Sequence, residues 1–190
     1  MSVKITTHHD YIILDACVIM NLYASGQMED ILSAIKETFT VAIYVVEIEA
    51  LSIYAKSKSD VLSEKEMVQL QPLIDKGLLL AVDLESEAEK ASFLALSAQR
   101  LDDGEAITMA IAKHRNWAVA TDDRRAIKFF SYQYGHIQII STPELIKHWQ
   151  ESKKPEPKVL YQTLVDIESK ANYLVGKKHP LYKWWQMCKK

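Results

Sequence analysis

The sequence predicts an α/β fold of three layers, α/β/α, with a central, mostly parallel sheet of about five strands and a C-terminal helical extension. Two observations carry this. Short apolar, β-branched runs alternate with helical segments through residues 11–150, the rhythm of strand–helix–strand units whose crossovers leave the strands parallel. Beyond residue 150 the strand pattern stops and only helical periodicity continues.

Taken in order, YIILD (11–15) is an apolar run ending in an acid and reads as a buried strand. ACVIMNLYASG follows as a helix closed by Gly26, and a second helix is expected over 28–37. TVAIYVV (40–46) has the β-branched and aromatic content of a strand. The acids of EIEALSIYAKSK then suit a helix start, and residues 63–72 read as helical up to Pro72. GLLLAVDL (77–84) is a strand and SEAEKASFLALSAQR (86–100) an amphipathic helix. GEAITMAIAKHR (104–115) is helical, with Ala106, Met109, Ala110 and Lys113 on one stripe. WAVAT (117–121) is a strand, DDRRAIKFF a helix and HIQII (136–140) a strand. STPELIKHWQ opens with Ser141 and Glu144 spaced as a capping box. ESKKPEPK (151–158) reads as a charged linker between a domain over 1–150 and a C-terminal part over 151–190. That part holds one amphipathic helix and a basic, aromatic tail.

The 190 residues suit one domain with an appendage, and 48% apolar with 25% charged residues is an ordinary globular composition. Two cysteines without metal spacing fit a reducing compartment. The first residues lack the apolar core of a signal peptide, and no apolar run approaches a membrane span, so a cytoplasmic protein without membrane contact is expected. Charge is uneven. Residues 1–150 carry 14 Lys and Arg against 21 Asp and Glu, whereas residues 151–190 carry 9 Lys against 4 acids.

In an open parallel sheet, ligands bind beyond the carboxyl ends of the strands. Four groups of acids fall there: Asp15; Glu47 and Glu49; Asp102, Asp103 and Glu105; Asp122 and Asp123. Carboxylates brought together repel by about 4 kcal/mol per close pair at an effective dielectric near 20. A hard divalent cation relieves that, and Mg²⁺ takes a few carboxylates plus water and phosphate. Each acid singly also reads as an ordinary helix start: Asp102 with Glu105 is an N-cap and N3 pair, and Thr121–Asp123 suits a cap. The signal is their joint occurrence at four strand ends.

These motifs resemble those of the PIN-domain family, the nuclease fold of VapC-type toxins. IILDACVIMNLYASG matches the family's first strand, aspartate and helix. YVVEIEAL matches the stretch of the second acid, DDGEAITMAIA the third and AVATDDRRA the fourth, across residues 11–146. The resemblance implies a metal-dependent endoribonuclease using Mg²⁺ or Mn²⁺. Its ligands and catalytic residues would be Asp15, Glu49, Glu105 and Asp123, with Asp122 close enough to contribute and Glu47, Asp102 and Asp103 as alternates. Glu105 stands where many relatives have Asp. Asn21 would orient a ligand or water, or be a plain helix-surface residue. The products implied carry a 5′-phosphate and a 3′-hydroxyl. Implied partners are an RNA substrate, an antitoxin protein if the chain is a toxin, and a second copy of the chain, paired through helices 28–37 and 86–100. The alternative is a catalytically silent PIN-like scaffold that binds RNA or protein.

An acidic body that binds RNA needs local cations. Arg124, Arg125 and Lys128 flank the fourth acid, with Lys113 and Arg115 nearby. Lys177, Lys178, Lys183, Lys189 and Lys190 lie in the tail, where Trp184 and Trp185 would stack on bases or else dock on the body. Two other enzyme classes drop out. A haloacid-dehalogenase-type phosphatase wants a second Asp two residues after the first, and position 17 is Cys. A dinucleotide site wants a glycine-rich loop after the first strand, and the chain has 5 glycines in all. No histidine is required; the six are scattered.

Overall fold

The computed structural model describes residues 9–49, 51–55, 64–99 and 101–190. Its elements run β1 (Tyr11–Leu14), α1 (Ala16–Ala24), α2 (Met28–Leu32), β2 (Thr38–Ala42), α3 (Ile43–Glu47), β3 (Ser52–Tyr54) and β4 (Lys65–Met67). They continue with α4 (Gln71–Asp75), β5 (Leu80–Val82), α5 (Glu87–Ser97), α6 (Asp103–Arg115), β6 (Ala118–Ala120) and α7 (Arg124–Gln133). The chain closes with β7 (Ile139–Ile140), α8 (Thr142–Lys153), α9 (Pro157–Lys170) and α10 (Tyr182–Met187).

Five strands form one sheet in the order β5-β2-β1-β6-β7, and every pairing in it is parallel. From β1 the chain moves outward through β2 to β5, then returns to place β6 and β7 on the other side. The order therefore reverses at β1, and the carboxyl ends of β1, β2 and β6 lie side by side at the switch point. The three strands are short and largely apolar where they meet: Ile12, Ile13, Leu14, Val41, Ala42, Ala118, Val119 and Ala120 are buried, with Thr40 the buried polar exception. Helices α1, α2, α8 and α9 pack among themselves, while α5 packs on α6 and α6 on β1, β2 and β6. The result is the expected α/β/α architecture.

Several local expectations change. The second strand stops at Ala42, and Ile43–Glu47 coils into α3 although its residues favour strands; β propensity yields to context. The helix expected to open at the acids 47 and 49 and the one expected over 63–72 give way to a two-stranded antiparallel hairpin, β3 with β4, followed by the short α4. Residues 50, 56–58 and 63, which those expectations included, and residue 100, the last of the helix expected over 86–100, lie outside the described residues. The second helix is Met28–Leu32 rather than 28–37. The charged linker shrinks, because α8 runs to Lys153 and α9 starts at Pro157, where a proline suits the first helical turn.

The C-terminal part is joined to the same core. Leu160, Leu164, Ile167, Val175 and Trp185 are buried in one cluster with the sheet residues. Trp185 is fully buried and its indole donates to Glu168 at 2.7 Å, while Trp184 donates to Gln150 at 3.0 Å and receives Lys147 over its ring. Stacking on bases is thus not the work of Trp185. Lys189 is also engaged, with both Glu168 oxygens at 2.7 Å. Among the described residues no helix is long and apolar enough to cross a membrane.

Candidate carboxylate site

Asp15 follows β1 and caps α1. Its Oδ1 accepts from the Ala16 amide at 2.8 Å, and its Oδ2 accepts from the Thr121 hydroxyl at 2.6 Å and from the Cys17 thiol at 3.1 Å. The Asp15 amide continues the ladder onto Ala120 O at 3.0 Å, so Asp15 and Thr121 are locked together at neighbouring strand ends. Burial raises the Asp15 pKa above its ordinary value, against the pull of those three donors.

Glu105 is the third residue of α6 and is buried. Its amide donates to Asp102 Oδ1 at 2.7 Å while its own Oε2 accepts from the Asp102 amide at 3.4 Å, closing a capping box. Burial first, and then the charges of Asp102, Asp123 and Asp15, push Glu105 up to about 7. Glu49 follows α3 and is half-buried. Burial and the charges of Asp102, Asp15 and Asp103 push it likewise to about 7. Its carboxylate lies against Gly104, in the space a side chain there would take. Asp123 caps α7 through Oδ1, which accepts from the amides of Arg125 at 2.7 Å and Ala126 at 2.9 Å.

Asp15, Glu49, Glu105 and Asp123, from four separate stretches of chain, therefore share one electrostatic environment, rimmed by Asp102 and Asp103. Asp103 accepts from Tyr44 at 3.4 Å. Glu47 is exposed and does not bear on Glu49 or Glu105. Asp122 is committed elsewhere: Oδ1 accepts from the Thr142 amide at 3.1 Å and Tyr173 at 3.0 Å, and Oδ2 from Asn21 at 2.9 Å. Asn21 is buried in that network, also donating to Thr142 at 3.1 Å, and is neither a surface residue nor a partner of the acid cluster.

These carboxylates are an all-oxygen donor set of like charge, the chemistry that suits Mg²⁺ or Mn²⁺. Among the described residues, no three Asp, Glu, His or Cys side chains could hold a metal ion as they stand. The oxygens of Asp15, Glu49, Glu105 and Asp123 are of the type such an ion takes, but they are not gathered about one point.

Of the cations, Arg124, Arg125 and Lys128 are exposed on α7, and Arg125 Nε stands 4.0 Å from Asp123. Arg115 is spent on Glu89 and the Asp83 carbonyl, and Lys113 on Ser92 and the Tyr134 ring. Three contributors escape sequence reasoning: Cys17 and Thr121 as donors to Asp15, and Gly104 as the floor for Glu49. Thr121 and Gly104 sit inside the motifs that drew attention, but only the fold gives them these roles. Comparison of the chain with protein-family models, curated proteins and solved structures found no match.

Proposed function

We propose that the chain is a Mg²⁺- or Mn²⁺-dependent endoribonuclease whose reaction takes place at Asp15, Glu49, Glu105 and Asp123. One observation carries the reading. At the switch point of a parallel sheet, burial and the charges of acids distant in sequence (Asp15 on Glu49, Asp15 and Asp123 on Glu105) raise the proton affinity of Glu49 and Glu105. A stable fold gains nothing from that repulsion, so a positively charged ligand is the natural complement.

The residues divide the work. Thr121, Cys17 and the Ala16 amide fix the Asp15 carboxylate in one orientation, so it serves as the central ligand. Glu105 is held at its base by the α6 capping box, and Asp123 by the first turn of α7. Glu49, half-buried against Gly104, completes the ligand set from the α3 side. A bound divalent cation would supply Lewis acidity, lowering the pKa of water and offsetting charge on the phosphate. Arg124, Arg125 and Lys128 stand beside Asp123 to balance the phosphates of the strand. The expected products carry a 5′-phosphate and a 3′-hydroxyl.

The test is incubation of purified protein with structured and unstructured RNA in Mg²⁺, Mn²⁺ or EDTA. Cutting is expected with either metal and not in EDTA, and Asp15→Asn and Glu105→Gln should abolish it. A silent scaffold of the same fold would show no Mn²⁺ binding in a calorimetric titration and no cutting in any buffer. An open reading frame for a small partner protein beside this one would favour a toxin role.

A further inference from the structure

Next to the acid cluster is a second feature that the four carboxylates leave unexplained. The segment 173–180 is pinned at both ends to residues just past β6 and β7. Tyr173 donates to Asp122 Oδ1 at 3.0 Å, and His179 Nε2 lies 3.0 Å from Ser141 Oγ. Between them Gly176 comes so close to Arg124 that a Cβ there would lie 3.3 Å from Nη2. Behind this strap is a cleft of about 770 Å³, floored by Ile127 and Ile139.

Its charged lining is three cations against two carboxylates. Arg124, Lys177 and Lys178 line it, and among the described residues none of the three is ion-paired. The two acids on its wall are already occupied: Asp122 by three donors, and Glu144 Oε2 by the Ser141 amide at 2.8 Å and hydroxyl at 2.6 Å. The cleft also adjoins the carboxylates through consecutive residues. Asp123 acts on Glu105, whereas its neighbours Asp122 and Arg124 line the cleft.

We propose that this cleft is the subsite for the sugar-phosphate backbone of single-stranded RNA leaving the carboxylate site, with Lys177, Lys178 and Arg124 as the phosphate contacts. The RNA identity rests on the endoribonuclease reading; the polyanion character rests on the cleft itself. Its volume is in the range of small-ligand sites, so it admits a strand about one or two nucleotides at a time and not a duplex. The apolar floor offers a surface for a base or ribose, and the strap holds the lysines over it.

The test uses a fluorescently labelled single-stranded oligoribonucleotide and the full chain carrying Asp15→Asn, in Mg²⁺, with anisotropy read across a salt series. Adding Lys177→Gln with Lys178→Gln should weaken binding about tenfold at low salt. It should also flatten the log K against log salt slope by about 1.4, two single-strand phosphate contacts' worth. Lys65→Gln with Lys158→Gln, the same charge change outside the cleft, should leave both nearly unaltered. Thermal melts confirm that each variant is folded. Equal losses from both pairs, no loss from the cleft pair, or no binding at all would overturn the proposal. Intact RNA after incubation of the unmutated chain with Mn²⁺, alongside the cleft-specific loss, would sink the nuclease reading and keep the cleft. Cutting without that loss would do the reverse.

Discussion

The carboxylate of Glu49 occupies the volume that a side chain at Gly104 would fill: a Cβ at position 104 would overlap Oε1 and lie 2.9 Å from Cδ. Gly104 belongs to the first turn of α6, and its φ is not in the left-handed region, so glycine is not needed there for backbone reasons. The contact is with the far end of a flexible, half-buried side chain, which can swing away. Gly104→Ala should therefore fold, with a melting temperature equal to or slightly above the parent, since alanine favours the helix by up to about 1 kcal/mol. Its RNA-cutting rate in Mg²⁺ should nonetheless fall to that of Glu49→Gln. Activity at the parental level in Gly104→Ala would show that Glu49 does not act from this position.

The acid cluster makes a signed prediction about pH. Glu49 and Glu105 are raised to about 7 in the folded chain from an ordinary 4.5. Between those values the folded state binds more protons than the unfolded one, so stability falls as pH rises from about 4.5 to 7. Metal-free protein should melt at a lower temperature at pH 8 than at pH 5.5. Glu105→Gln should reduce that difference, and millimolar Mn²⁺ should reduce it for the parent by binding the charged form. A flat or opposite profile in EDTA would contradict the cluster.

Removing the buried charge at Asp15 tests the same electrostatics from the other side. Asparagine retains the α1 cap through its one oxygen, because Asn is as good an N-cap as Asp, and its amide nitrogen then faces the Thr121 hydroxyl, which turns from donor to acceptor. It removes a carboxylate that burial disfavours. Metal-free Asp15→Asn should melt at the same temperature as the parent or higher, while losing Mn²⁺-induced stabilisation. A drop of several degrees in EDTA would mean that Asp15 is chiefly structural.

Trp185 fixes how the C-terminal part relates to the body. It is fully buried, packs edge-on to Tyr173 with ring centroids 6.1 Å apart, and hydrogen-bonds Glu168. Trp185→Ala should cost about 3–5 kcal/mol in urea denaturation, the range for a buried tryptophan. Tyr173 is also the anchor on Asp122, so the loosened strap should show in faster amide exchange over residues 173–180. A change below about 1 kcal/mol would mark the tail as an attachment rather than part of the fold.

What could be read beforehand follows the range of the interactions involved. The starts of α5, α6 and α8 are local events: Ser86 and Asp102 side chains accept from the amide three residues on, and Glu144 reaches back to the Ser141 amide and hydroxyl, so they are visible in four residues of sequence. The hairpin β3–β4 is not, because two three-residue strands, one of them wholly exposed, leave no hydrophobic alternation. The nearness of Asp15 and Asp123 is legible because parallel β1 and β6 bring their carboxyl ends together, whereas Glu49, after α3, and Glu105, in the first turn of α6, are placed by helix packing that the strand pattern does not encode. The motif around the second acid already favours Glu49 over Glu47, whereas setting Asp122 apart needs the reach of Tyr173 from 51 residues away, which spacing does not encode.

Arg115 and Glu89 provide a stability test independent of the acid cluster. Arg115 Nε meets Glu89 Oε1 at 2.7 Å with side chains only 15% and 4% exposed, and the guanidinium also donates to Asp83 O and lies over Trp117. Burial opposes charge on Glu89, but the Arg115 hydrogen bonds and the amides of Ser86 and Glu85 prevail and hold its pKa down to about 2. The folded carboxylate thus keeps its charge where the unfolded one, near 4.5, gains a proton. The stabilisation is complete above about pH 4.5 and is lost as pH falls toward 2, the opposite sense to Glu49 and Glu105. Arg115→Ala should cost about 3 kcal/mol at pH 7, because it leaves a buried carboxylate unpaired. Replacing both partners, Arg115→Met with Glu89→Leu, should cost less than the single change, since no buried charge is then stranded. Urea midpoints for the three chains at pH 7 and pH 3 decide it. A double variant as unstable as Arg115→Ala would show that packing of the arginine stem over Trp117, rather than the ion pair, holds α5 to α6.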